Sequence, residues 1–189
     1  MSNQDLQQWM AEHEQPDHKS DNFHANEKVR YEQLKNEVQN ARTALLRAEV
    51  FAHEIKVENL PGDIVGKTEA MRIAVDPVVF RDLTFATHTL AHEKAHKSGI
   101  ANEGLAELAA IMKAKDASMP EYVAFTENVR KVADTVGWQT TLDLYEQKSY
   151  EFMFKIFVSK SMKTGKSYTQ CIKEFEAAFP ELEVLAQKN

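Results

Sequence analysis

The sequence predicts an α+β fold that is predominantly α-helical: a small sheet beside two short helices, a long N-terminal helix and a set of C-terminal helices. Three observations predict it. Residues 26–57 hold no Gly or Pro and place apolar side chains at alternating steps of three and four. Residues 64–75 switch to the short alternating runs of strands, behind the turn composition Leu60-Pro61-Gly62-Asp63. Beyond Met119-Pro120, helical stretches are punctuated by Gly137, Gly165 and Pro180. A chain of 189 residues can fill one core, so the expected organisation is a single domain over 26–189 behind a flexible arm of residues 1–25.

The arm is polar, rich in Gln, Asp, His and Asn, with Trp9 and Met10 as docking points. His13 and His18 lie five residues apart, on different sides of any helix, and read as solvated polar sequence. In the long helix of 26–57, Tyr31, Leu34, Val38, Ala41, Leu45, Ala48, Ala52 and Ile55 form a heptad seam. Its small Ala positions invite close approach by another helix. That helix is either one of this chain's own C-terminal helices or one from a second subunit, through helix-mediated self-association.

The section 58–116 carries two expected strands, 64–68 and 70–75, followed by Asp76-Pro77 and two helices. The first helix, 82–97, has Leu83, Ala86, Leu90 and Ala91 on an apolar face and stops at Ser98-Gly99, where Gly suits a left-handed C-terminal position. The second runs from Asn102 to about residue 115, with Leu105, Leu108, Ile111 and Met112 facing the core. The section 120–189 is expected to hold helices over 121–136, 140–163 and 167–179. The middle one is apolar on more than one side and should be central, with Trp138 packed at the junction before it.

Within the first short helix the chain reads His92-Glu93-Lys94-Ala95-His96, and the second opens Asn102-Glu103-Gly104-Leu105-Ala106-Glu107. On a helix, His92 and His96 sit one turn apart on one face, spaced to grip a single zinc ion. Glu93 stands beside that ion but off the ligand axis, where it could take a proton from a zinc-bound water. Glu103 and Glu107 share one face of the next helix. His88 extends the stripe, but about 12 Å of rise separates it from His96, so one ion cannot take both. It reads as a buried histidine of the same face.

This pairing resembles the gluzincin metallopeptidases, and in size the small single-domain minigluzincins. The resemblance covers residues 64 to about 112. It implies one zinc ion held by His92, His96 and Glu103, with Glu93 as general base and Glu107 supporting an imidazole from behind. It also implies a strand along the cleft that pairs with a bound peptide, for which 70–75 is the expected edge. Only six residues separate His96 from Glu103, fewer than gluzincins usually insert. The short link with Gly99 is similar to the metzincin pattern HExxHxxGxxH, in which Asn102 would occupy the third ligand position. An amide oxygen is a poor zinc ligand beside a carboxylate, so Glu103 is the expected ligand, Asn102 the helix cap, and Glu107 the next candidate. Tyr145 and Tyr150 are the nearest candidates by type for stabilising an oxyanion, with core packing the other reading of each. Asp5, Glu12, His13, Asp17 and His18 of the arm are candidates to block the metal in a latent form.

The expected function is therefore zinc-dependent hydrolysis of peptide bonds in a peptide or protein substrate. The other class to be weighed is a non-catalytic helical binding or regulatory protein with a structural or vestigial zinc site, which the heptad helix and large helical C-terminal part favour. A net charge of −6 without a cluster of five Lys/Arg argues against nucleic acid or an anionic membrane surface as the main partner. No apolar stretch approaches the roughly eighteen residues of a membrane span, and the N-terminus lacks the pattern of a signal peptide. Cys171 is the only cysteine, which fits a reducing compartment and makes the cytoplasm the expected location.

Overall fold

The computed structural model describes residues 4–14, 25–114 and 123–182. Among them are eight α-helices and one four-stranded mixed sheet, so the molecule is α+β and predominantly helical, as the sequence predicts. The chain divides into two compact units, residues 1–97 with 110–117, and residues 98–109 with 118–189.

The first unit begins with β1 (Gln4–Asp5) and α1 (Leu6–Glu14). Residues 4–14 thus correct the expectation of a flexible arm. Gln4 and Asp5 pair antiparallel with Val57 and Lys56, while Leu6 and Trp9 are buried and Trp9 packs on Phe80 at 5.0 Å between ring centroids. Two apolar anchors on one short helix outweigh the polar composition around them. Residues 15–24 lie outside the described residues.

The seam of α2 (Ala25–Ala48) buries Val38, Ala41, Leu45 and Ala48, with Tyr31 and Leu34 half-buried. Its principal partner is α3 (Leu83–Lys97), with α1 beside it, rather than a C-terminal helix, and these contacts lie within this unit. The expected helix of 26–57 ends nine residues early. Glu49 adopts a left-handed φ of 58° and Val50 N–H returns to Leu45 O at 3.0 Å, closing the helix without a Gly. Ala52 enters a short 3-10 turn and Ile55 opens β2 (Ile55–Val57), where pairing in the sheet overrides the helical period.

The sheet order is β1-β2-β4-β3, with β3 at Gly66–Thr68 and β4 at Ile73–Val75. β2 and β4 are parallel and β3 is antiparallel to β4. The expected edge, 70–75, is corrected: β4 is flanked on both sides and wholly buried, and β3 is the edge. Lys56 and Lys67 both lie opposite Ala74, and with Glu58 and Glu69 they form an ion-pair lattice at 3.1 to 3.9 Å. After β4, Asp76 caps a 3-10 turn that leads to Asp82, whose Oδ1 accepts the Phe85 N–H at 2.7 Å and starts α3.

In the second unit, Asn102 caps α4 (Glu103–Ala114), its Oδ1 accepting the Leu105 N–H at 3.0 Å. The division of the chain gives residues 103–109 of this helix to the second unit and 110–114 to the first. α5 (Val123–Val136) then packs with α6 (Trp138–Glu146), α7 (Tyr150–Lys163) and α8 (Tyr168–Ala178). The expected helix of 140–163 is therefore two. Lys148 takes a left-handed φ of 55° and Ser149 N–H bonds Leu144 O at 2.8 Å, turning the chain sharply. The break explains why that stretch is apolar on more than one side: it supplies two separate faces. Phe175 lies at the centre, with Phe179 at 5.0 Å and Phe154 at 5.1 Å between centroids. Trp138 sits at the junction of α5 and α6, donating to Asp134 at 2.7 Å beneath the Arg130 guanidinium.

Candidate metal centre

Helix α3 carries the histidines. It is buried on most sides, from Ala86 through Ala91, with Glu93 and Ala95 also buried and His92 and His96 half-buried at the surface of the helix. His92 Nε2 and His96 Nε2 converge to 3.0 Å. His88 is buried one turn earlier and stacks on His92 at 6.5 Å between centroids, the packed role that its spacing predicts.

Glu103 opens α4 after a five-residue link, and it offers a carboxylate oxygen to the pair. One ligand atom from each of His92, His96 and Glu103 lies within 4.8 Å of the others. The three residues expected as ligands are thus brought together. Asn102, by contrast, spends its amide on the protein. Its oxygen caps α4, and its Nδ2 donates to Ala178 O at 3.0 Å and Glu181 Oε2 at 3.1 Å. Glu107 is 1 % exposed on α4, one turn beyond Glu103.

The donor set suits zinc. Two imidazole bonds of about 2.0–2.1 Å at a tetrahedral angle would place their nitrogens about 3.3 Å apart; the 3.0 Å found here is also the length of a hydrogen bond between the two rings. Two imidazoles and one carboxylate also leave a fourth tetrahedral position for water or substrate.

Glu93 is 7 % exposed and points to the sheet side of α3. Thr68 Oγ1 on β3 lies 2.8 Å from Glu93 Oε2 and 2.7 Å from Glu93 O. Gly66, on the same face of β3, comes so close to α3 that a Cβ there would meet Thr89 Cγ2 at 2.8 Å and Glu93 Cγ at 3.0 Å. Neither residue is among the candidates that the sequence supplies. One signal was present: a Gly inside a strand often marks a close approach of backbones.

Tyr145 is buried, and its hydroxyl donates to Glu181 Oε1 at 2.8 Å. Burial and the neighbouring carboxylate push its pKa well above the ordinary tyrosine value. Tyr150 packs on it at 5.5 Å between centroids. Of the arm's candidate blocking groups, Asp5 caps Gln7 N–H, Glu12 accepts from Gln4 and Gln8, and His13 stacks on Trp9. Asp17 and His18 lie outside the described residues.

No protein-family model, curated protein or solved structure matches this chain. Among the described residues no helix is long and apolar enough to cross a membrane.

Proposed function

We propose that this chain is a zinc-dependent peptidase of the gluzincin type, working on peptides or proteins in the cytoplasm. The observation that carries the reading is the convergence of His92, His96 and Glu103 within 4.8 Å, with Glu93 next to the first ligand in the chain. A zinc ion bound by these three would polarise the scissile carbonyl and lower the pKa of water at the site to near 7. The chain's own residues supply the rest. Glu93 accepts the proton of the attacking water and delivers it to the leaving amine. Burial of Glu107 on α4 suits a carboxylate that supports a ligand imidazole rather than one that meets substrate.

Edge strand β3 suits the binding of an extended peptide. Val65 O accepts from Asp76 N–H and Glu69 N–H donates to Arg72 O, so the backbone groups at 65 and 69 face β4. By the alternation of an antiparallel ladder, the N–H and C=O of Gly66 and Thr68 point to the other side, where the sheet has no further strand among the described residues. A peptide added there would run past Glu93.

The test is metal analysis of purified full-length protein, with cleavage of a mixed peptide library by wild type and by Glu93→Gln. One zinc per chain in both proteins, with cleavage by wild type only, is expected. An active Glu93→Gln protein would overturn the mechanism. Zinc in both without cleavage by either would support the other class, a binding protein whose zinc ties helices together.

A further inference from the structure

We propose that the outward charges of β3 choose the peptide: Lys67 selects an acidic residue directly across from it, and Glu69 a basic residue two positions earlier in the peptide. The inference rests on the reading of β3 as the strand that takes the peptide. It concerns the face of the sheet turned away from α3.

Side chains alternate along a strand, and Gly66 and Thr68 face α3, so Lys67 and Glu69 face the other way. There they meet Lys56 and Glu58, and the four charges sort into an inner and an outer pair. Lys56 and Glu58 lie 3.1 Å apart with side chains 20 % and 15 % exposed. Lys67 and Glu69, also 3.1 Å apart, are 46 % and 37 % exposed. The outer pair is the one that an added strand would meet. On the β4 side Lys67 stands across from Ala74, which carries no charge.

The backbone pattern sharpens this pairing. Val65 O and Glu69 N–H bond toward β4, so Lys67 does too, and an added peptide bonds to Gly66 and Thr68. In an antiparallel ladder the residues between such bonded positions come closest to their neighbours, about 4.5 Å between Cα atoms against about 5.5 Å. Lys67 holds one of these close positions and Glu69 the next. Antiparallel pairing is the slightly more stable direction. It runs the peptide backwards along β3, so the residue across from Glu69 precedes the one across from Lys67 by two. The selected peptide therefore reads basic, any residue, acidic. Each opposite charge directly across is worth about a two- to fivefold preference, and each like charge a similar penalty.

The experiment uses short fluorescein-labelled peptides that differ only at the centre, which is Lys-Thr-Glu, Gln-Thr-Gln or Glu-Thr-Lys. Their binding to full-length Glu93→Gln protein, in buffer containing zinc, is read by anisotropy at low and at high salt. Lys-Thr-Glu is expected to bind about tenfold more tightly than Glu-Thr-Lys, with the neutral peptide between them. Salt is expected to narrow the gap. Exchanging the charges by Lys67→Glu with Glu69→Lys is expected to reverse the order, which a purely structural role for these residues would not do. Should that protein fail to fold, Lys67→Met decides, with the tenfold gap expected to shrink to about threefold. Equal binding of the three peptides, or an unchanged gap in these variants, would overturn the proposal and leave β3 as an edge that takes peptides without reading their charge. Were no peptide bound, the reading of β3 as a peptide strand would fall, and the proposal with it. Wild type that binds but cleaves none of them would count against the peptidase alone.

Discussion

At Gly66 an added methyl would stand 2.8 Å from Thr89 Cγ2 and 3.0 Å from Glu93 Cγ, against side chains that are themselves buried. Gly66→Ala is therefore expected to destabilise the protein by about 1–3 kcal/mol, the usual cost of overpacking, measured by urea unfolding. A stability within 0.5 kcal/mol of wild type would show that α3 and β3 separate at little cost. The clustering of His92, His96 and Glu103 was legible in the sequence because it is local: the two histidines share a helical turn, and Glu103 opens the next helix. Thr68 and Gly66 were not. They meet Glu93 across 25 and 27 residues of chain, and only the folding of β3 onto α3 brings them there. Tyr145 shows the converse, a residue type suited to oxyanion chemistry whose hydroxyl already donates a hydrogen bond to Glu181.

Among the elements, the 3-10 turn at Ala52–Glu54 is tied to the end of α3. Glu54 pairs with Lys97 and accepts the Phe51 N–H at 3.0 Å. The Lys97 ammonium first, then the Phe51 N–H, hold its carboxyl below the usual range. Because the folded pKa is depressed, the stabilisation is complete above the unfolded value of about 4.3 and is lost as pH falls through the folded value. Thermal unfolding of wild type and Glu54→Gln should differ at pH 7 and converge toward pH 3. A constant difference across that range would exclude the ion pair as its source. Helix ends were the least legible part of the fold for a related reason. α2 and α6 both close on non-glycine residues with positive φ, Glu49 and Lys148, where composition gives no stop signal. What ends them is the demand of the next element: β2 must reach the sheet, and α7 must turn back onto α5.

For the molecule as a whole, the fold class was legible because periodicity survives in most helices, but the sheet was only half visible. Its two inner strands include Ile55–Val57, which continues a helical seam by pattern, and its outer strand β1 has only two residues. Trp9 carries the attachment of that N-terminal piece to the first unit. Trp9→Ala is expected to cost about 3–5 kcal/mol, read from the urea midpoint at unchanged m-value. A loss below about 1 kcal/mol would mean that α1 is a passenger on the core.

The pairing of β1 with β2 sets an order on how this protein comes into being. Gln4 and Asp5 find their partners at Val57 and Lys56, with the whole of α2 between them in the chain. Loops of that span close slowly compared with the formation of a helix. During synthesis, residues 4–14 must therefore wait until β2 has been made and α2 has folded back, and Trp9 waits longer still, until Phe80 follows. At roughly 5–20 residues per second that wait lasts seconds, long enough for a chaperone to meet the nascent apolar helix before its own core does.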